Sequence, residues 1–279
     1  MFGGRLAITL ETVFTRVRIV AATAIALAVV AGSTACASDL AAGAGANSGH
    51  AANPIASPAP RATPSAPPVP VSTDPPFNKN QKSHSDPSST WVVVNKLRPL
   101  KPKTYTPADL VTVPVAHDNP ARMRKVAASA LVTMFAAGKK AGAGSMQIQS
   151  SFRSYTAQVK VYNGWVASLG KKQADRQSAR PGFSEHQTGL AVDISPAPLK
   201  CALAACFGTT PQGKWLASHA WKYGYLLRYP ADKTKITGYE YEPWHFRYIG
   251  VKLATELHKE HVKTLEEFFG LPPAPDYAK

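Results

Sequence analysis

Two separate segments of the chain carry residue types that can bind a metal ion. The first contains His186 and Asp193, and the second contains Glu242 and His245. Two imidazoles and one carboxylate are ligands that a catalytic zinc ion takes, with a fourth position left open for water. Glu242, three residues before His245, is placed to take a proton from that water. The pattern indicates a metal-dependent hydrolase with Zn²⁺ as cofactor, although these ligands also suit other divalent metals.

Residues 190–194 predict the strand that carries Asp193. Leucine, valine and isoleucine alternate there with Ala191 and Asp193, so the apolar side chains face a core and the aspartate faces the other way. Along a straight strand His186 and Asp193 would point to opposite faces. The metal-site hypothesis therefore requires a turn, which Gly189 permits.

Hydrophobic periodicity and end signals predict the other elements. Asn119 and Pro120 favour a helix start, and we expect that helix to run from Ala121 to about Ala137. Further helices are expected over residues 155–168, 213–223, 251–258 and 265–269, and strands over residues 146–149, 190–194, 225–228 and 244–249. Residues 171–181 are polar and predict a loop or a frayed helix end. Together these elements predict a single compact α+β domain with a small antiparallel sheet flanked by helices.

The first 37 residues have the pattern of a secretory signal peptide. Three arginines precede an apolar run over residues 19–30, and small residues follow it. The run is shorter than a typical membrane span, and an uncleaved anchor helix is the alternative. Residues 33–36 are similar to the lipobox of bacterial lipoproteins, in which Cys36 would be acylated. We therefore expect an exported protein of the cell envelope, anchored by lipidated Cys36 or else secreted.

The three cysteines are Cys36, Cys201 and Cys206. An exported protein rarely keeps a lone thiol, so lipidation of Cys36 would leave the other two as a pair. A C-x4-C spacing also occurs in metal sites, but no second cysteine pair accompanies it here. A local disulfide between Cys201 and Cys206 is the favoured prediction.

Composition divides the remaining chain into three parts. Residues 38–87 begin with a long run of alanine, proline, serine and glycine and predict a disordered linker. Residues 88–270 predict the folded domain, and residues 271–279 a C-terminal tail. The formal net charge is +15, which favours anionic cell-envelope polymers or a membrane surface as surroundings. A solvated basic surface explains the charge equally well, and we expect no nucleic-acid partner because the basic residues are scattered.

Three motifs of the chain resemble those of VanY-type D-Ala-D-Ala carboxypeptidases and follow one another in the same order as in that family. They are Ser184-x-His186-x-x-Gly189-x-Ala191-x-Asp193, Glu242-x-Trp244-His245, and the upstream segment Arg153-Ser154-Tyr155-x-x-Gln158. Residues 92–100 resemble the N-terminal edge of that family. The resemblance extends from about residue 91 to residue 269, which is nearly the whole predicted domain.

The resemblance implies a zinc-peptidase domain and a role for each motif residue. By this resemblance zinc binds to His186, Asp193 and His245, the general base is Glu242, the oxyanion is held by Arg153, and the substrate pocket is lined by Ser184 and Gln158. The implied activity removes the terminal D-alanine from peptidoglycan stem peptides. A D,D-dipeptidase, or an L,D-carboxypeptidase or endopeptidase, is an alternative within the same chemistry. A wall-binding module with structural zinc is a further alternative, but such a site has no need of the free carboxylate of Glu242.

Overall fold

The computed structural model describes residues 76–278 and has the predicted α+β architecture. The proposed signal peptide, Cys36 and most of the predicted linker lie outside the described residues. Six strands and seven α-helices are present within residues 76–278. The strands are β1 (Leu110–Thr112), β2 (Arg122–Arg124), β3 (Met146–Ser150), β4 (Ala191–Pro196), β5 (Tyr225–Leu227) and β6 (His245–Tyr248). The helices are α1 (Lys125–Lys140), α2 (Tyr155–Leu169), α3 (Lys171–Gln177), α4 (Pro211–His219), α5 (Thr234–Thr237), α6 (Val251–Lys259) and α7 (Leu265–Phe268).

The central sheet is antiparallel and has the strand order β3-β4-β6-β5. Strand β4 carries Asp193 directly opposite His245 of β6, and Ala191 opposite Arg247. On its other side Asp193 pairs with Ser150, the last residue of β3. Because side chains alternate along each strand, these residues of β4 and β6 share one face of the sheet. A register shift between Ile148 and Ser150 brings Ser150 of β3 to the same face. This face is called the polar face below.

The opposite face of the same strands is apolar and forms the main core. Val192 and Ile194 of β4 and Phe246 of β6 are fully buried there, together with Leu131 and Met134 of α1. The alternation predicted for residues 190–194 is therefore confirmed. Helix α1 covers this apolar face, which is called the core face below.

The start of α1 differs from the prediction of a helix from residue 121. Residues Arg122–Arg124 form β2 instead and pair with Leu110–Thr112 in a two-stranded sheet. The helix begins at Lys125, after Arg124 in an extended conformation. The start signal at Asn119 and Pro120 was misleading because the backbone groups that follow it are used in a tertiary strand pair.

The expectation of a loop or frayed helix end over residues 171–181 was partly wrong, because residues 171–177 form the regular helix α3. Gly170, with φ of +75°, separates α3 from α2. Ala174 is fully buried, and the Asp175 carboxylate accepts hydrogen bonds from Tyr162 and Arg180. Contacts outside the segment therefore stabilise a helix that its own composition does not predict.

The folded unit continues beyond residues 88–270 at both ends. Phe77 stacks on Trp91, with ring centroids 5.6 Å apart, and meets Phe268 edge-on. At the other end the Tyr277 hydroxyl accepts a hydrogen bond from the Arg180 backbone at 2.8 Å. Among the described helices, none combines the length and the apolar character needed to cross a bilayer.

Candidate active site

The polar face brings His186, Asp193 and His245 together. One ligand atom from each of the three side chains can be chosen such that all three lie within 4.8 Å of one another. All three residues are buried. Such a cluster of two imidazoles and a carboxylate has the composition and the spacing of a metal site with an open position.

His186 reaches the site because the chain turns sharply before β4. Residues 185–188 form a 3₁₀ turn that ends at Gly189 in the left-handed conformation, with φ of +66°. The His186 Nδ1 atom lies 2.8 Å from the Ser151 carbonyl oxygen. A carbonyl can only accept, so Nδ1 carries the proton and Nε2 is left with its lone pair. That Nε2 atom lies 3.2 Å from Asp193 Oδ2.

His245 presents its other ring nitrogen to the cluster. Its Nδ1 atom lies 3.1 Å from Asp193 Oδ1, while Nε2 points away and lies 3.4 Å from Glu185 Oε2. Burial alone would lower the pKa of this imidazole, but the two carboxylates outweigh it and raise the pKa to about 9. Burial and the charge of Arg153 instead lower the pKa of His186, against the opposing pull of Asp193. Binding of a metal at Nδ1 therefore has to displace a proton from His245.

Asp193 lies between the two histidines, with Oδ1 3.1 Å from His245 Nδ1 and Oδ2 3.2 Å from His186 Nε2. Burial raises its pKa, but the two imidazoles outweigh burial and hold the pKa well below its usual value. The Ser150 hydroxyl also donates to Oδ2. The carboxylate is therefore ionised and fixed in position, as a metal ligand must be.

Glu242 approaches the cluster from the loop that precedes β6. Its Oε2 atom lies 3.8 Å from His245 Nδ1, and its side chain is 13% exposed. The backbone N–H of Glu242 donates to the Tyr229 carbonyl, and its own carbonyl accepts from the His245 N–H. Burial raises the pKa of Glu242 to about 8, with Asp193 adding to the effect and His245 opposing it. A bound divalent cation would favour the ionised form of this carboxylate.

Arg153 lies just after β3, close to the charges of Asp193 and Glu242. Its guanidinium donates to the Ser150 hydroxyl at 3.2 Å and to Gln158 Oε1 at 2.9 Å. Burial lowers the pKa of Arg153, and the charges of Asp193 and Glu242 oppose this shift. The guanidinium is thus held at the site with further N–H groups available to a substrate oxygen.

The two predicted substrate-pocket residues lie close to this machinery. Gln158 is fully buried, and its amide bridges Arg153 to the Ala179 carbonyl, to which it donates at 2.7 Å. It therefore holds Arg153, while direct contact with substrate stays a prediction. Ser184 is buried immediately before the turn that carries His186, and its contact with substrate also stays a prediction. Cys201 and Cys206 are joined by a disulfide in the loop after β4.

The sequence analysis missed Glu185 and the two arginines around it. Glu185 accepts hydrogen bonds from Arg228 and Arg247, both at 2.9 Å, and all three side chains are fully buried. One signal was present in the sequence, because His245 and Arg247 alternate on the same face of β6. Nothing in the spacing of Glu185 and Arg228 showed that they would meet.

A comparison with known proteins agrees with this geometry. The family model described as VanY, D-alanyl-D-alanine carboxypeptidase, matches residues 120–251. The protein YodJ of Bacillus subtilis (strain 168) is 43% identical over 189 residues, which cover 66% of this chain and 68% of YodJ. The chain belongs to the VanY family. The predicted family and its α+β fold are thereby confirmed.

Two solved structures are similar to this VanY-family chain. The LdcB LD-carboxypeptidase is 42% identical, with a TM-score of 0.61 and coverage of 66% of this chain and 87% of LdcB. A glutamate-to-alanine mutant of the vancomycin-resistance D,D-pentapeptidase VanY, in complex with Zn(II), is 29% identical, with a TM-score of 0.53. The coverage there is 63% of this chain and 97% of that protein.

The buried His-Asp-His cluster and this likeness agree on the metal. The predicted zinc cofactor is confirmed, and the donor set of the cluster fits it. The chain is thus a zinc metallo-carboxypeptidase of the VanY family that acts on peptidoglycan peptides.

Proposed function

We propose that this enzyme removes the terminal D-alanine from peptidoglycan stem peptides by cleaving a D-Ala-D-Ala bond. The arrangement of Glu242 and Arg153 around the His-Asp-His cluster supports amide hydrolysis, and the match to the family model described as D-alanyl-D-alanine carboxypeptidase supports the choice of a D,D bond. A carboxylate lies 3.8 Å from one ligand nitrogen, and a guanidinium is held through Ser150, which also contacts the ligand Asp193. A general base and a stabiliser of negative charge are the two groups that amide hydrolysis needs beside a metal.

Each residue has a defined task in this reaction. Zinc bound by the three side chains supplies a lowered water pKa, near 7, and a polarised scissile carbonyl. Glu242 accepts the proton of the attacking water at its carboxylate. The same proton then passes from Glu242 to the amine nitrogen of the departing D-alanine as the C–N bond breaks.

Arg153 acts on the carbonyl oxygen rather than on the water. Negative charge builds on this oxygen when the water adds to the carbonyl carbon. The guanidinium remains charged and has several donors in a fixed plane, so it stabilises that charge without having to reorient. Its hydrogen bonds to Ser150 and to Gln158 keep it in place.

Cleavage of an L,D bond is the second candidate, and the similarity to LdcB favours it. The identity to that LD-carboxypeptidase is 42%, against 29% to the D,D-pentapeptidase. An L,D-carboxypeptidase would release D-alanine from a stem tetrapeptide, whereas a D,D-carboxypeptidase would release it from a pentapeptide. The same metal, base and guanidinium serve both reactions.

The deciding experiment offers the purified chain both peptides. We would incubate it with a stem pentapeptide ending in D-Ala-D-Ala and, separately, with the tetrapeptide, and follow the products by mass spectrometry. Loss of one alanine from the pentapeptide, stopped by a chelator and restored by zinc, supports the D,D proposal. Cleavage of the tetrapeptide alone would replace it with the L,D activity.

Glu242→Gln separates catalysis from a structural role of zinc. We expect this variant to keep its zinc and to lose about 100- to 10,000-fold in kcat, the usual contribution of a general acid-base group. Unchanged turnover in the zinc-loaded variant would remove Glu242 from the mechanism.

We also propose that the chain is exported and held at the cell envelope through lipidated Cys36. The proposal rests on the basic, apolar and small-residue pattern of residues 1–37. The full chain and its Cys36→Ser variant would be expressed in a bacterial host and partitioned with detergent. Wild-type protein in the detergent phase and variant protein in the aqueous phase supports the anchor, whereas equal partitioning rejects it.

A further inference from the structure

Four charged side chains form a buried group that reaches the Nε2 side of His245. Glu185, Arg228 and Arg247 have fully buried side chains, and Glu266 is 1% exposed. Unpaired charges at such depth would cost several kcal/mol each. Here each charge has partners of opposite sign and good geometry. The group of Glu185, Arg228, Arg247 and Glu266 is called the charge cluster below.

Glu185 connects the charge cluster to the metal site. Its Oε1 atom accepts from Arg228 Nε and Arg247 Nη1, both at 2.9 Å. Its Oε2 atom lies 3.4 Å from His245 Nε2, the ring nitrogen that points away from the ligand cluster. One carboxylate therefore divides its two oxygens between two arginines and one metal ligand.

The two arginines are themselves fixed by other groups. Arg228 forms a paired contact with Glu266, at 2.9 and 2.7 Å, and Glu266 also accepts from the Asn95 amide at 2.9 Å. Arg247 donates to the Val92 carbonyl at 2.8 Å. Such paired, charge-assisted hydrogen bonds give strong geometric definition. Glu185 is thus held from two directions and has little freedom to move relative to β6.

We propose that Glu185 is a positioning residue that orients His245 for zinc. By accepting a hydrogen bond from Nε2–H, it leaves Nδ1, which faces Asp193 and Glu242, as the ring nitrogen that would bind zinc. The Ser151 carbonyl does the same for His186 on the opposite ring nitrogen. Partners of this kind set the tautomer and the ring angle of a histidine ligand and raise its basicity. The inference rests on the proposed zinc-dependent function, whose site it extends.

Glu185→Gln tests this role because glutamine has only one acceptor oxygen. Three donor groups face Glu185, and a carboxylate can accept from all of them, whereas an amide also brings donors of its own. Either His245 or the arginines must lose an acceptor. We expect zinc affinity, measured by competition with a chromophoric chelator, to fall about 10- to 100-fold. The d–d absorption of the cobalt-substituted protein should also change, because it reports ligand geometry.

Glu266→Gln is the matched control. This substitution removes an equally buried carboxylate from the same charge cluster. The Glu266 carboxylate, however, contacts Arg228 and Asn95 and no metal ligand. We expect lower stability in this variant, with the zinc affinity and the cobalt spectrum of the wild type. Equal weakening of zinc binding in both variants would mean that the charge cluster acts only through stability, and it would overturn the inference.

A second variant covers the case in which Glu185→Gln does not fold. Glu185→Asp keeps the negative charge that the arginines need and withdraws the carboxylate by one methylene group. We expect a folded protein with zinc affinity reduced about tenfold. Wild-type zinc affinity in folded Glu185→Asp would refute the positioning role. Failure of the proposed function is a separate result, because it would appear as a wild-type protein that binds zinc and cleaves neither peptide.

Discussion

The two faces of the central sheet are built from alternate residues of the same strands and obey different rules. On the core face, Val192 and Phe246 pack in an apolar cluster under α1. On the polar face, Asp193 and His245 lie one residue away from them and are also buried. Apolar packing is not directional, so the core face depends on volume and fit. The polar face depends on named donors and acceptors, each at a defined distance.

This difference explains how the ligand atoms of the metal site are placed accurately. A metal site requires ligand atoms within fractions of an ångström of their ideal places. On the polar face every ligand is constrained by a second group: Ser151 for His186, Ser150 for Asp193, and Glu185 for His245. The core face supplies the rigid strands on which this arrangement stands. We therefore expect changes on the polar face to alter chemistry, and changes on the core face to alter stability.

Asp193→Asn should break the polar face most completely. The variant keeps the shape of the side chain but removes the negative charge shared by both histidines. We expect loss of zinc and a fall in kcat of about 1,000-fold or more, since a metal supplies several kcal/mol of transition-state stabilisation. Zinc content by atomic emission and peptide hydrolysis measure the two effects. Full zinc occupancy in this variant would contradict the assignment of the ligand.

Arg153→Lys should separate transition-state stabilisation from metal binding. Lysine keeps the charge but lacks the planar set of donors that reaches Ser150 and Gln158. We expect kcat to fall about 100- to 1,000-fold, the usual effect of losing one oxyanion donor. Zinc affinity should stay at the wild-type value. Steady-state kinetics with a parallel zinc titration provides the check, and a change in KM alone would assign Arg153 to substrate binding instead.

Asp175→Asn tests a charged group that lies outside both faces of the central sheet. Burial raises the pKa of Asp175, but hydrogen bonds from Arg180, Tyr162 and Lys171 outweigh it and hold the pKa below the ordinary value. The carboxylate therefore stabilises the fold above the pKa of the unfolded chain, about 3.9. Its contribution declines as the pH falls below that value toward the folded pKa.

The expected cost of Asp175→Asn at neutral pH is about 1–3 kcal/mol in the free energy of unfolding. Urea denaturation of the wild type and the variant at several pH values between 7 and 3 should show that their difference in free energy of unfolding becomes smaller at acid pH. Peptide hydrolysis at neutral pH should be unchanged. A difference that stays constant over this range would show that the ionised carboxylate is not the source of the stability.

Ile148→Val should give the smallest effect, and it tests whether a change on the core face alters stability alone. Ile148 is fully buried on β3 and pairs with Ile194. Loss of one methylene group should lower the free energy of unfolding by about 0.5–1.5 kcal/mol. Zinc affinity and kcat should remain those of the wild type, although Ser150 of the polar face is only two residues away, beyond the register shift in β3. A loss of zinc affinity without loss of stability would show that the core face also controls the metal site, and that the two faces do not act independently.

Much of the site could be predicted from local sequence. The residue types and spacing of His186 with Asp193 and of Glu242 with His245 predicted a metal-dependent hydrolase, and the motifs around them and Arg153 carried the resemblance to the family. The alternation in residues 190–194 placed Asp193 on the face opposite the core, because side-chain direction in a strand follows directly from chain order. Gly189 was identified as the site of the required turn because His186 and Asp193 would point to opposite faces of a straight strand.

Only the tertiary structure decided which distant groups meet behind those residues. The sequence leaves Glu185 and Arg228 as two charges 43 positions apart, and the fold places them 2.9 Å from each other. Likewise, residues 122–124 form a strand and residues 171–177 a helix because of partners outside those segments. Local pattern thus determined the ligands and the faces on which they lie. The groups that hold the ligands in place depend on strand pairing and burial, since a buried charge is defined by whatever the whole fold brings beside it.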